Sequence, residues 1–141
     1  MLDSHALYWL VSGEVELLDD AFVAIGENQE AGTLFVSPIT AWELSIATQK
    51  GRLAGRPHLG GDSPGRWFRE AVRATSARII PIKQRISFAA ANVVSETGHK
   101  DPGDCFLIAT ARVSRMPIVT RDEIMQTIAA RKPGYLDVLV C

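Results

Sequence analysis

Residues 99–123 read HKDPGDCFLIATARVSRMPIVTRDE, and the order of signals in this stretch decides the fold. Asp101 and Pro102 make a helix start, an N-cap followed by a residue whose fixed φ suits the first turn. The apolar run from Cys105 to Val113 has helix length, and PIVT (117–120) is a short apolar stretch of strand character. Thr120 and Glu123 then have capping-box spacing for a further helix, predicted from Arg121, with Asp122 in its first turn. An apolar strand without polar alternation, set between helices, belongs to a mostly parallel sheet covered on both faces.

The same alternation extends to the rest of the chain. Met1-Leu2 read as a strand stub, followed by a helix through about Leu10 and a second helix over Asp19 to Glu30. TLFV (33–36) reads as a buried strand, and SPITAWELSIATQKG (37–51) as a helix with Ser37 as N-cap and Gly51 as stop. AGRPHLGGDSPG (54–65) is a loop by its Gly and Pro content, and RWFREAVRAT (66–75) a short amphipathic helix. ARIIPI (77–82) is a strand whose proline places it at a sheet edge. SFAAANVVSETG (87–98) is a helix ended by Gly98, and LDVLV (136–140) a last strand. A chain of 141 residues, 47% hydrophobic, can bury a sizeable core, so residues 1–141 are expected to form one α/β domain.

Several function classes drop out. The start MLDSHALYWLVSG has no basic region and meets Asp3 at once, which does not read as a signal peptide. No apolar run approaches the ~20 residues of a membrane span. Cys105 and Cys141 have no metal or redox spacing, and buried thiols in a reducing cytoplasm are expected. There is no P-loop, GxGxxG or HExxH, and His5, His58 and His99 lack ligand spacing, so they read as surface or structural residues. A phosphoacceptor signalling domain would need a lysine after the last strand, where LDVLVC has none.

Charge is segregated although its sum is only −1. Residues 1–49 hold eight acids and no Lys or Arg, whereas 50–78 hold seven basic residues (Lys50, Arg52, Arg56, Arg66, Arg69, Arg73, Arg78) against Asp62 and Glu70. Such a block is either a polyanion-binding face or a solvated helix surface.

Three acids fall where an open α/β sheet forms its sites, beyond the carboxyl ends of strands. Asp3 follows the first strand, Asp122 follows PIVT by one residue, and Asp104 lies in the first turn of its helix. Taken singly, each could be a helix cap, and reads more readily as one than as a ligand. Glu43 could not, because it lies mid-helix among Ile39, Trp42, Ile46 and Ala47. A carboxylate there needs an arginine partner or a cation. Clustered acids with few protein ligands suit Mg²⁺ or Mn²⁺, which activate water and steady charge on phosphate.

LDSHALYWL with Asp3, VSPITAWELSIATQKGRL with Glu43, HKDPGDCFLIATARV with Asp104 and PIVTRDE with Asp122 together resemble PIN-domain proteins, above all the VapC-like toxins of bacterial toxin–antitoxin pairs. The resemblance implies a three-layer α/β/α sandwich with a mostly parallel central sheet, and a Mg²⁺- or Mn²⁺-dependent endoribonuclease that acts in the cytoplasm. Asp3, Glu43, Asp104 and Asp122 would be its catalytic and metal-binding acids, with Asp3, Asp104 and Asp122 as principal ligands. Asp101 and Thr120 would support them, and Arg66, Arg69, Arg73 and Arg121 would hold the RNA backbone. A cognate antitoxin and a second copy of the chain are the implied partners, docking on apolar surface at Leu7 to Leu10 and Trp42 to Leu53. The alternative is a non-catalytic PIN-like interaction module. Only Met1 and Leu2 precede Asp3, where the family usually has a fuller strand. Gly103 stands where a bulky residue is common in the family, which predicts a looser helix start.

Overall fold

A computed structural model of the protein describes residues 1–49 and 57–141. In chain order the elements are α1 (Ser4–Ser12), α2 (Asp19–Glu30), β1 (Phe35–Val36), α3 (Ile39–Gln49), α4 (Pro64–Ala74), β2 (Arg78–Ile79), α5 (Gln84–Thr97), α6 (Pro102–Ser114), β3 (Ile118–Thr120), α7 (Glu123–Arg131) and β4 (Val138–Val140). The strands are short and parallel: β1 pairs with β2, and β3 with β4. Met1–Asp3 joins the two pairs. The Leu2 amide donates to the Phe35 carbonyl, Leu2 bridges Val119 in parallel, and the Val119 amide donates to Met1. Met1 and Leu2 thus lie in the middle of the sheet, between the two pairs.

Consecutive strand residues face opposite layers, as the pleat demands. Leu2, Val36 and Val119 enter one core with residues of α1–α4, including Leu7, Ile25, Leu44 and Phe68. Met1 and Ile118 enter the other, with Ile86 and Val93 of α5, Leu107 and Ile108 of α6, and Met125 and Ile128 of α7. This is the α/β/α sandwich, with apolar strands because both faces are covered. Leu107 and Ile108 are 1% and 0% exposed on adjacent α6 positions, and truncating either to Ala would cost about 2–5 kcal/mol.

The boundaries shift in ways that local chemistry explains. The first helix passes Leu10 and ends at Ser12, where Gly13 adopts the left-handed conformation and donates back to the Trp9 carbonyl. The fourth helix starts at Pro64 rather than Arg66, because Ser63 accepts from the Arg66 amide as N-cap. ARIIPI contributes only Arg78–Ile79, which sit at the sheet edge as the proline required. LDVLV is trimmed to Val138–Val140. The last helix begins at Glu123 with Asp122 as its cap, so the capping box expected from Thr120 does not form. Gly103 does not loosen α6: it is buried, and Asp101 caps a helix that runs from Pro102. The Gly51 stop and Lys50, Arg52, Leu53 and Arg56 lie outside the described residues. Among the described residues no helix is long and apolar enough to cross a membrane.

Candidate functional site

Three helix starts meet at one end of the sheet. Asp3 caps α1, its Oδ1 accepting from the Ala6 amide at 2.6 Å. Asp101 caps α6 through the Asp104 amide at 3.2 Å, and Asp122 caps α7 through the Met125 amide at 2.8 Å. The capping role and the site role are thus compatible. One oxygen of each carboxylate satisfies a helix amide, and the positive ends of three helix dipoles lower the cost of gathering acids here.

These acids line one cavity of about 590 Å³ with Glu14, Glu43 and Asp104; Tyr8, Trp9 and Trp42 supply aromatic walls. Among its described lining residues there is no Lys or Arg. Among the described residues Glu43 has no arginine partner. Its carboxylate accepts from the Ser4 hydroxyl, and Ser4 Oγ also lies 3.0 Å from Thr40 Oγ1.

The expected acids converge, but with a different grouping. One oxygen from each of Glu43, Asp101 and Asp104 lies within 4.8 Å of the others. Asp101, expected only to support, is inside this trio, while Asp3 and Asp122 form another part of the cavity wall. For Asp3 the physical reason is prior engagement. Both oxygens of buried Asp3 are taken, one by the Ala6 amide and one by the Thr120 hydroxyl, and Asp122 Oδ1 caps α7. Thr120 Oγ1 also accepts from the Asp122 amide at 3.0 Å, so it links two acids.

Burial dominates the electrostatics. It raises the Asp3 carboxyl above its ordinary value, against the hydrogen bonds from Thr120 and Ala6, and the Asp122 charge pushes the same way. Burial also pushes Glu43 up to about 7, opposed by the Ser4 hydrogen bond and reinforced by the charges of Asp104, Asp101 and Asp3. Asp104 is raised by burial, with the His99 hydrogen bond opposing and Asp101 and Asp122 adding to the rise. Like charges held in a partly desolvated cavity are the condition a divalent cation relieves. The donor set, all carboxylate oxygen in bridging reach, fits Mg²⁺ or Mn²⁺ rather than a soft metal.

Sequence reasoning missed Ser4 and His99. His99 Nε2 lies 2.8 Å from Asp104 Oδ2, with its side chain only 10% exposed. A serine next to Asp3 and a histidine five residues before Asp104 carry no periodic signal, so only the fold reveals them.

The basic residues are placed less favourably. Arg66 pairs with Asp62 at 3.3 Å and Arg73 with Glu70 at 3.0 Å, both on the exposed face of α4, where such pairs contribute about 0–1 kcal/mol. Arg121 is turned inward: it donates to the carbonyls of Cys141 and Glu16 and covers the Trp9 ring at 4.8 Å. These bonds tie Arg121 to two other segments of the chain. Leu7 and Tyr8 are core residues rather than docking surface, whereas Trp42 and Ile46 are exposed at 46% and 41%.

The sequence model of the PIN domain matches residues 1–131. The chain belongs to the PIN-domain family. Two solved structures share the fold. One is described as VapBC2 from Rickettsia felis bound to a DNA fragment from their promoter; it gives a TM-score of 0.67 at 14% identity over 100% of this chain and 97% of that one. The other is a toxin–antitoxin complex from Klebsiella pneumoniae, with a TM-score of 0.59 at 24% identity over 98% and 93% of the two chains. No curated protein matches the sequence.

Proposed function

We propose that the chain is a single PIN domain over residues 1–141 that acts as a divalent-metal-dependent endoribonuclease, the cytoplasmic toxin of a toxin–antitoxin pair. The observation that carries this reading is a cavity lined by six acids and, among its described lining residues, no Lys or Arg. Membership of the PIN family and the likeness to chains of two toxin–antitoxin complexes support it.

Glu43, Asp101 and Asp104 would hold a Mg²⁺ or Mn²⁺ ion, with Asp3 and Asp122 completing the negative wall. Such an ion, when bound, lowers the pKa of water and offsets charge on a phosphate. The protein's own part is to fix the ligands. Ser4 orients Glu43, His99 orients Asp104, and Thr120 holds Asp3 against the amide of Asp122. Exposed Trp42, next to Glu43 on the cavity wall, offers a ring on which an unpaired base can stack. Arg66, Arg69 and Arg73 on α4 would contact the RNA backbone.

The antitoxin would place a cationic side chain among these acids and cover the exposed Trp42 and Ile46; a homodimer could use the same apolar surface. The test is expression in bacteria with and without the reading frame beside the gene. Growth arrest by the parent, relieved by that frame and absent for Asp104→Asn, supports the reading. Normal growth with the parent at high expression refutes it.

A further inference from the structure

We infer that Gly103 is a positioning residue of the carboxylate cluster: having no side chain, it leaves the space in which Glu43 reaches Asp101 and Asp104. Gly103 is buried in the first turn of α6, between the Asp101 cap and Asp104. Its φ is not in the left-handed region, so its backbone does not demand glycine. In this chain Glu43 fills the space that a bulky residue at this position commonly takes in the family. A Cβ at this position would lie 2.9 Å from Glu43 Cδ, 3.2 Å from Cγ and closer still to Oε1. Those separations are below carbon–carbon contact distance. The other glycines whose surroundings are described have nothing nearer than 3.7 Å to such a Cβ, so the tight approach is confined to this site.

Of the two sides of this contact, only one can yield. Gly103 is held by a capped helix whose first turn also carries Asp101 and Asp104, so moving its backbone would move two more ligands. Glu43 is the end of a side chain with rotatable bonds, held among the described residues by the Ser4 hydroxyl. Adding a methyl group at 103 therefore turns Glu43 out of the trio and leaves the fold in place. Mg²⁺ and Mn²⁺ sites are demanding of ligand position, so a displaced carboxylate is a lost ligand. Alanine is otherwise the better helix residue, so helix propensity does not explain a glycine here.

The inference rests on the proposed metal site for its consequence but not for its geometry, and the test separates the two. Crystal structures of the parent and of Gly103→Ala would be determined in EDTA. Mn²⁺ affinity would be measured by calorimetry for the parent, Gly103→Ala, Glu43→Ala and the double variant. The expected result is a Glu43 carboxylate displaced from Asp101 and Asp104 in Gly103→Ala, with the acids of α6 unmoved. Mn²⁺ affinity should fall about 10-fold or more, the scale of losing support for a ligand. In the Glu43→Ala background the second substitution should change nothing, because the residue it displaces is gone. A Glu43 that stays in place, or a loss of affinity that persists without Glu43, overturns the inference. A parent that binds no Mn²⁺ defeats the metal reading alone, and the displacement still decides the role of Gly103. The double variant, in which the contact is absent, keeps the comparison decisive if Gly103→Ala alone folds poorly.

Discussion

The Thr120 hydroxyl donates to Asp3 Oδ2 across 117 residues of chain, while accepting the Asp122 amide at 3.0 Å. Both groups are buried, and the bond joins the end of β3 to the acid that caps α1. Because Asp3 is buried, its carboxylate has no water to replace that donor. Thr120→Val should therefore destabilise the protein by about 1–3 kcal/mol, the cost of leaving buried polar groups unsatisfied. Thr120→Ser, which keeps the hydroxyl, should recover most of it. Urea unfolding of the three proteins checks this; equal midpoints for Val and the parent would refute it.

Stability should depend on pH through Glu43. Its carboxyl titrates near 4.5 when unfolded and at about 7 when folded. The folded state thus holds the proton more tightly, and Glu43 makes stability fall as pH rises from about 4.5 to about 7. Asp3 and Asp104, also raised, act in the same direction. With EDTA the melting temperature should drop across this window, and Glu43→Gln should flatten the slope. With Mn²⁺ the slope should reverse, because a bound cation favours ionised ligands.

Asp104→Asn should separate stability from activity. It removes a charge that Glu43 feels directly, so the melting temperature in EDTA should rise or hold. Asn can still accept from His99, and the capping bond to the Asp101 carboxylate is donated by the backbone amide of residue 104, which the substitution keeps. The stabilisation by Mn²⁺ seen in the parent should disappear. Thermal melts with and without Mn²⁺ decide it, and an undiminished Mn²⁺ response would remove Asp104 from the ligand set.

His99 should matter through Asp104 alone. Replacing it with Ala frees the Asp104 carboxylate, and Mn²⁺ affinity should fall about 10-fold; Gln, which can still donate, should lose less. If Ala and Gln behave alike, the 2.8 Å contact does not orient the ligand.

Much of the fold was legible because its signals are local. Asp101-Pro102 and the apolar run after it announce α6, Gly98 ends α5, and the proline in ARIIPI puts that strand at the edge. The convergence of Glu43 with Asp101 and Asp104 was legible in outline, since a mid-helix carboxylate among apolar residues needs a partner. Which acids stand closest was not, because it depends on how α3 packs against the start of α6 across the fold. The partners of Arg121 were not legible for a related reason, since the carbonyls of Glu16 and Cys141 that it binds lie far from it in sequence.

The central claim is that the acids at the carboxyl end of this sheet form a metal-dependent ribonuclease site. The most direct measurement is cleavage of single-stranded RNA by the purified chain in Mn²⁺ and in EDTA, with Asp104→Asn in parallel. The parent is predicted to cut only with Mn²⁺, and the variant to be about 100-fold slower or inactive. Equal cleavage in EDTA, or by the variant, would contradict it.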